Sequence, residues 1–307
     1  MKLGILEFRD NGFIRSILEG LRDVPSEFIR VGQLIHPSPS ACRVIVDRLS
    51  FCDPFLREVM RYWSMCGTYV LNDPFYTLVY DKLSEIPLYD TLGIRHARTV
   101  LLPRVNRTED VREMVAEPAW QEIEALVGFP CILKPADGFA WQDVFPVQSP
   151  AMLRALYESF KDTRTLIVQE LVRHSAYYRA YCIDRREVFI TGWKPLPYDQ
   201  GEYFLPEKGA LLPVADAIVA QTTALNAALG LDFNAVEWCI TGDGVPVVID
   251  SYNDVPDVRR EKLPAACYEW VVDRFCACVR SKLASGERNH LAPRMPGGSD
   301  PGPAPGG

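Results

Sequence analysis

The sequence predicts an α/β amino-terminal layer followed by a larger α+β region, and three observations lead there. Over the first ninety or so residues, short apolar runs alternate with helix-period patterns. After Pro130 the texture changes, and hairpin turn signals separate the apolar segments. The chain has 307 residues, 48% of them hydrophobic, which is enough for one large core or two to three modest domains.

Leu3–Phe8 reads as a strand, and Phe13, Ile17, Leu18 and Leu21 share one helix face. Phe28–Val31 and Arg43–Asp47 read as strands, a helix follows around Phe55–Trp63, and Thr68–Leu71 is again strand-like. Strand and helix in alternation imply a small parallel layer. No G-x-G-x-x-G follows the first strand, so this layer reads as scaffold and substrate wall, without the dinucleotide fingerprint.

Pro74–Glu117 reads as helix and loop, and Pro118–Val127 as a helix with proline in its first turn. Strand Cys131–Lys134 leads through a loop containing Gly138 to Val144–Val147. Ser149 and Pro150 open a helix with Met152, Leu153, Leu156 and Phe160 on one face. Leu166–Val172 is strand-like, and Tyr178–Ile183 with Glu187–Trp193 forms a hairpin. A helix over Val214–Leu229 stops at Gly230. Phe233–Ile240 and Val245–Asp250 then flank the turn Thr241-Gly242-Asp243-Gly244. A last helix begins near Pro264, with Tyr268, Val271, Val272, Phe275 and Val279 as its stripe. Residues 286–307, rich in Pro and Gly and without periodicity, read as a disordered tail. The expected boundaries are therefore 1–73, 74–285 with subdomains of about 74–168 and 169–285, and 286–307.

A net charge of −7 argues against a protein that grips nucleic-acid backbone through a basic face. Nine cysteines, an odd number with no C-x-x-C pair, read as buried hydrophobes in a reducing compartment. Four unclustered histidines argue against a histidine metal site. MKLGILEF runs into a strand without an apolar signal region, and no stretch nears ~18 uninterrupted apolar residues. The expectation is a soluble, cytoplasmic protein with no membrane or nucleic-acid partner.

Four features carry the chemistry. Lys134 ends an apolar strand just before Pro135-Ala136-Asp137-Gly138; it reads either as an anchor for phosphate oxygens or as a lysine emerging at a sheet edge. Gln169-Glu170-Leu171-Val172 reads as a hinge whose main chain meets a planar purine edge, or as an ordinary strand end. Arg179 and Lys194, on paired strands, read as two neighbouring cations suited to polyphosphate, or as an exposed face of alternating charge. Glu237 and Asp250 lie thirteen positions apart on paired strands among β-branched residues. Carboxylates there need neutralising, and with Asn253 they form an oxygen set suited to Mg²⁺; salt bridges to Arg or Lys are the alternative.

In this order the features resemble the ATP-grasp superfamily, which includes D-alanine–D-alanine ligase, glutathione synthetase and the ribosomal-protein glutamate ligases. The resemblance runs from about Asn72 to about Pro256: Asp81-Lys82, Leu92-Gly93-Ile94 and Thr99, then GFPCILKPADG, VQELV, YRAYCID and VEW…VVIDSYNDVP. It implies an ATP-grasp fold of two subdomains whose antiparallel sheets clasp ATP. It also implies that Lys82 and Lys134 contact ATP phosphates and that Gly138 belongs to the lid. Glu170, Leu171 and Val172 then form the adenine hinge, and Arg179 faces the γ-phosphate and acyl phosphate. Glu237, Asp250 and Asn253 hold Mg²⁺, for which Mn²⁺ can substitute. Two departures stand out. The lid, Gly138-Phe139-Ala140-Trp141, has one glycine, and Asn253 stands one residue further from Asp250 than usual, leaving Asn253 or Asp254 to complete the metal set.

The implied activity joins a small-molecule carboxylate, activated as an acyl phosphate, to an amine; amino acids or a peptide fit both roles. Lys82, Lys134 and Lys194 neutralise the polyphosphate, and Arg259 with Arg260 could hold substrate carboxylates or form a solvated turn. A kinase of the same fold and a non-catalytic nucleotide-binding protein are the competing readings. A homodimer is the family-level expectation.

Overall fold

The computed structural model describes residues 1–9, 11–75, 82–105, 115–138, 142–196 and 200–290. Asp81 and the lid residues Phe139, Ala140 and Trp141 lie outside the described residues, as does the expected tail from 291 onward. Two compact units form, Met1–Phe75 with Cys276–Gly307, and Tyr76–Phe275.

The first unit carries a parallel sheet of β1 (Leu3–Leu6), β2 (Ser26–Phe28), β3 (Val44–Asp47) and β4 (Tyr69–Leu71), in the order β2-β1-β3-β4. Leu3, Ile5, Ile45 and Val70 are buried, in keeping with the apolar runs of a parallel strand covered on both faces. Helix α1 (Gly12–Gly20) is capped by Asn11, and α2 (Pro54–Met65) by Asp53 ahead of a proline at its first position. The second strand lies earlier than Phe28–Val31. Ser26 pairs with Leu3, and the ladder is spent once Ile29 N–H has reached the Ile5 carbonyl at 2.7 Å.

The carboxyl-terminal boundary also moves. Cys276–Ser285 counts with the first unit, where Cys276 Sγ packs against Gly20 and Arg280 pairs with both Asp23 oxygens at 2.7 and 2.6 Å. The expected tail begins as bound structure. Asn289 is buried, and its amide accepts from Val70 N–H and donates to Val70 C=O, each at 2.8 Å, as a neighbouring strand would. The Glu287 carbonyl accepts from Arg43 at 2.8 Å. A pattern-based reading misses this because one side chain, with no period, does the pairing.

The second unit contains two antiparallel sheets. The four-stranded one, in the order β5-β8-β6-β7, comprises β5 (Thr99–Leu102), β6 (Cys131–Pro135), β7 (Phe145–Val147) and β8 (Leu166–Glu170). Helices α4 (Trp120–Val127) and α5 (Pro150–Phe160) bury Ile123, Val127, Leu153 and Tyr157 with Leu133 and Val168. Met152, expected on the apolar face of α5, is 38% exposed.

The five-stranded sheet runs β11-β10-β9-β12-β13, from β9 (Ala176–Ile183), β10 (Glu187–Lys194), β11 (Glu202–Phe204), β12 (Phe233–Ile240) and β13 (Pro246–Asp250). The short helix α3 (Ile86–Thr91) brings Tyr89 into its core, followed by Ile94, beside Tyr178, Val236 and Trp238. The long α6 (Lys208–Leu229) lays Val214, Ile218 and Leu225 on the same core. It begins six residues before the expected Val214 and passes through Pro213. By length and composition it could cross a bilayer. The two sheets are stitched by the segment before β5, where Arg95 C=O accepts from Val248 N–H at 2.9 Å. Helix α7 (Ala265–Ser285) starts here, with Phe275 against Phe233.

Candidate active site

The site is assembled from the ends of strands in the two sheets of the second unit. Lys134 is the fourth residue of β6 and only 9% exposed. Its ammonium donates to Gln169 Oε1 at 2.9 Å; the Gln169 amide nitrogen donates to Thr99 Oγ1 at 3.0 Å, so a relay spanning β6, β8 and β5 aims the cation. Burial, with repulsion from Lys82, pushes the Lys134 pKa down to about 8, against the pull of Asp250, Glu237 and Glu85.

Lys82 is tied to the end of β6 by its backbone N–H, 3.2 Å from the Ala136 carbonyl. Its ammonium lies 2.7 Å from Asp250 Oδ2. Burial opposes the charge of Lys82, but the Asp250 carboxylate outweighs it and holds the ammonium above its ordinary value. Burial likewise opposes the Asp250 charge, and Lys82 with Lys134 holds that carboxyl below its usual range.

Glu237 sits opposite Asp250 on β13 and opposite Arg179 on β9, where the β12–β13 register breaks in a bulge. The Tyr177 hydroxyl donates to Glu237 Oε2 at 2.9 Å, and Arg179 Nη2 lies 3.5 Å from Oε1. Burial, then the Glu237 charge, holds the Tyr177 phenol far above its usual range. The same Nη2 donates to Asn253 Oδ1 at 3.1 Å. Asn234 fixes Asn253 in turn, accepting its N–H at 2.7 Å, while Asn253 Nδ2 donates to Ala235 C=O at 2.9 Å. The longer spacing after Asp250 thus still delivers the Asn253 oxygen to the group that faces Glu237. In the structure these carboxylates meet cations: Lys82 on Asp250, Arg179 on Glu237.

Arg179 itself is held in an aromatic cradle. Its guanidinium lies 5.4 Å from the Trp193 ring centroid and 5.9 Å from that of Tyr203, whose hydroxyl accepts from Nη1. Its Nε is buried and has no hydrogen-bond partner. Burial opposes its charge, while Tyr203 and Glu237 hold it above the ordinary arginine value.

Lys194 does not join this cluster. Arg179 pairs with Thr191, so strand alternation puts Trp193 on the arginine's face and Lys194 on the opposite one. There Lys194 is 64% exposed and lies 3.3 Å from Glu202. Gly138 closes the turn after β6, donating to Pro135 C=O at 3.4 Å, and a Cβ there would meet Pro135 at 3.2 Å. Glu170 ends β8 two residues before the expected Val172; its carboxylate accepts the N–H of Arg98 at 3.0 Å and pairs with that guanidinium. Leu171 is exposed, and Val172 C=O bonds the His174 ring at 3.2 Å. Arg259 is paired with Asp257 at 2.6 Å, and Arg260 stacks on Tyr268.

Among the described residues no three His, Cys, Asp or Glu side chains gather as a metal site. Two carboxylates opposite one another with an amide oxygen nearby nonetheless fit Mg²⁺, which takes its remaining ligands from phosphate and water.

No protein-family model and no curated protein matches the chain. Solved structures do. D-alanine–D-alanine ligase from Bacillus anthracis, complexed with ATP, superposes with a TM-score of 0.66 at 13% identity, over 93% of this chain and 98% of its own. A RimK domain ATP-grasp protein from Sphaerobacter thermophilus gives 0.65 at 18% identity, over 91% and 100%. The ATP-grasp ligase PsnB, complexed with a phosphomimetic precursor variant, Mg and ADP, gives 0.62 at 17% identity, over 91% and 98%. The chain has the ATP-grasp fold.

Within that ATP-grasp fold, Lys82, Lys134, Arg179, Glu237, Asp250 and Asn253 converge through hydrogen bonds and charge interactions. Sequence reasoning missed Tyr177, Trp193 and Tyr203. Tyr177 was within reach, because it stands two residues before Arg179 and so shares its face. Glu85 was also missed. It is 2% exposed, and burial plus the Asp250 charge pushes its carboxyl up to about 7.

Proposed function

We propose that this chain is an ATP- and Mg²⁺-dependent ligase that activates a carboxylate as an acyl phosphate and joins it to an amine. One observation carries the reading: Lys82 pairs with Asp250 and the buried Arg179 with Glu237 across strand ends of two antiparallel sheets, with the buried Lys134 feeling both carboxylates. Buried charges need partners, and anions brought by a polyphosphate would share cations now held by carboxylates.

In the proposed reaction, Lys134 and Lys82 bind the triphosphate and draw off charge as the bond to the leaving ADP breaks. A substrate carboxylate oxygen bonds to the γ-phosphorus, and Arg179 orients that phosphoryl group in its aromatic cradle. The amine nitrogen then attacks the acyl carbon, the carbon–oxygen bond to phosphate breaks, and the proton lost by nitrogen leaves on the released phosphate. Glu237, Asp250 and Asn253 would hold Mg²⁺, which when bound neutralises phosphate charge. PsnB was captured with a precursor peptide, and a peptide supplying carboxylate or amine is the substrate class proposed here. Nine free cysteines, seven of them buried, support a reducing, cytoplasmic setting.

An ADP-release screen of carboxylate and amine pairs, including short peptides, tests this. Release that needs both partners is expected, and Asp250→Ala should abolish it in a folded protein. A stable phosphorylated product formed without amine, or turnover surviving in Asp250→Ala, would overturn the reading.

A further inference from the structure

Behind the Lys82–Asp250 pair lies a buried carboxylate that the proposed reaction does not use. Glu85 stands just ahead of α3, and its Oε2 accepts from the hydroxyls of Tyr89 and Ser251, the latter at 2.5 Å. The two hydroxyls are themselves 2.9 Å apart, which closes a three-membered cluster. All three residues are buried, Ser251 at 0% exposure. Ser251 directly follows Asp250, and Glu85 follows Lys82 by three residues.

An apolar side chain would fill this space without removing a carboxylate from water beside Asp250. What the carboxylate adds is connection. The segment carrying Lys82 arrives from one part of the chain and the end of β13 from another, 166 residues apart. Glu85 fastens one to the other at positions one and three residues from those whose side chains pair. The Ser251 main chain is held as well, its C=O accepting from Asn234 Nδ2 at 2.7 Å; Asn234 is the residue that also fixes Asn253.

We propose that Glu85 is a positioning residue, which through Ser251 and Tyr89 sets the placement of Asp250 and Lys82 for magnesium-bound nucleotide. The inference rests on the reading of Asp250 as a metal-facing carboxylate, so its test separates the two. AMPPNP affinity is measured by calorimetry on the full chain, once with Mg²⁺ and once with EDTA, and the ratio gives the magnesium-dependent gain.

Glu85→Ala should reduce that gain by about tenfold, as expected for loss of charge-assisted hydrogen bonds, with EDTA-state affinity little changed. Glu85→Gln keeps an oxygen acceptor for both hydroxyls and should recover the gain to within about threefold. Tyr89→Phe and Ser251→Ala keep nearly the same bulk, remove one donor each, and should give intermediate losses; they carry the test if Glu85→Ala does not fold. A wild-type gain in Glu85→Ala, Tyr89→Phe and Ser251→Ala overturns the inference alone, even if their melting temperatures fall. A wild-type protein whose AMPPNP affinity ignores Mg²⁺ overturns the metal reading, and this inference with it.

Discussion

The Lys82 ammonium lies 2.7 Å from the Asp250 carboxylate although 168 residues separate them in the chain. Each is mostly buried, with side-chain exposures of 15% and 21%. Removing one partner leaves the other desolvated with its nearest counter-charge gone. Lys82→Met should therefore lower the unfolding free energy by about 2 kcal/mol, somewhat below a fully buried pair. The double variant Lys82→Met/Asp250→Asn should lose less than the sum of the singles, by about 1 kcal/mol. Urea titrations of the four proteins check this; strict additivity would mean the pair contributes nothing.

Lys134 makes two opposite pH effects. Its folded pKa of about 8 lies below the value of roughly 10.4 for an exposed lysine. Between those values the unfolded chain holds a proton that the folded chain has released. This residue therefore makes folding more favourable as pH rises through that window. Polyphosphate needs the charged form, so AMPPNP affinity should fall by up to about tenfold per pH unit above 8. Lys134→Met should bind weakly throughout and flatten that limb. An identical slope in the variant would assign the titration elsewhere.

The relay from Lys134 through Gln169 to Thr99 predicts a binding effect at a residue that carries no charge. Gln169→Leu removes the acceptor 2.9 Å from the ammonium while keeping similar volume. Affinity for AMPPNP should drop by about tenfold, the scale of a hydrogen bond to a charged group. Calorimetry at pH 7 reads it.

Arg179 and Lys194 should separate cleanly. Tyr203→Phe and Trp193→Leu loosen the arginine's cradle and should lower kcat of ADP release by about tenfold, with smaller change in the KM for ATP. Lys194→Ala, on the other face of the sheet, should leave both constants within about twofold. A large loss there would restore Lys194 to the site.

What could be read from the sequence follows from where the information lies. Lys134, Glu237 and Asp250 were legible because each is a charge inside a β-branched or apolar run, a pattern that burial alone does not explain. The parallel layer and the paired strands β12 and β13 were legible from period and turn chemistry. Lys194 lies one residue away from the arginine's face: the period of two assigns that face to Trp193, so nearness along the hairpin does not bring the two cations together. Strands β5 and β11 are short and carry no alternation of their own. Glu85 was invisible, because what distinguishes it is contact with Ser251, made only when the fold closes.

The pairing of Asn289 with Val70 has a bearing on how the protein behaves in company. A sheet's outer strand offers its unpaired amides and carbonyls to any passing chain. In β4 the Val70 groups are already taken, by a side chain that can satisfy both and cannot itself be extended by a further strand. A chain cut after Ser285 would keep every strand and helix described here, yet present a bare, apolar border of Tyr69, Val70 and Leu71 to its neighbours. Loss of that contact would show first as poor solubility at high concentration, before any change in the unit that carries the candidate site.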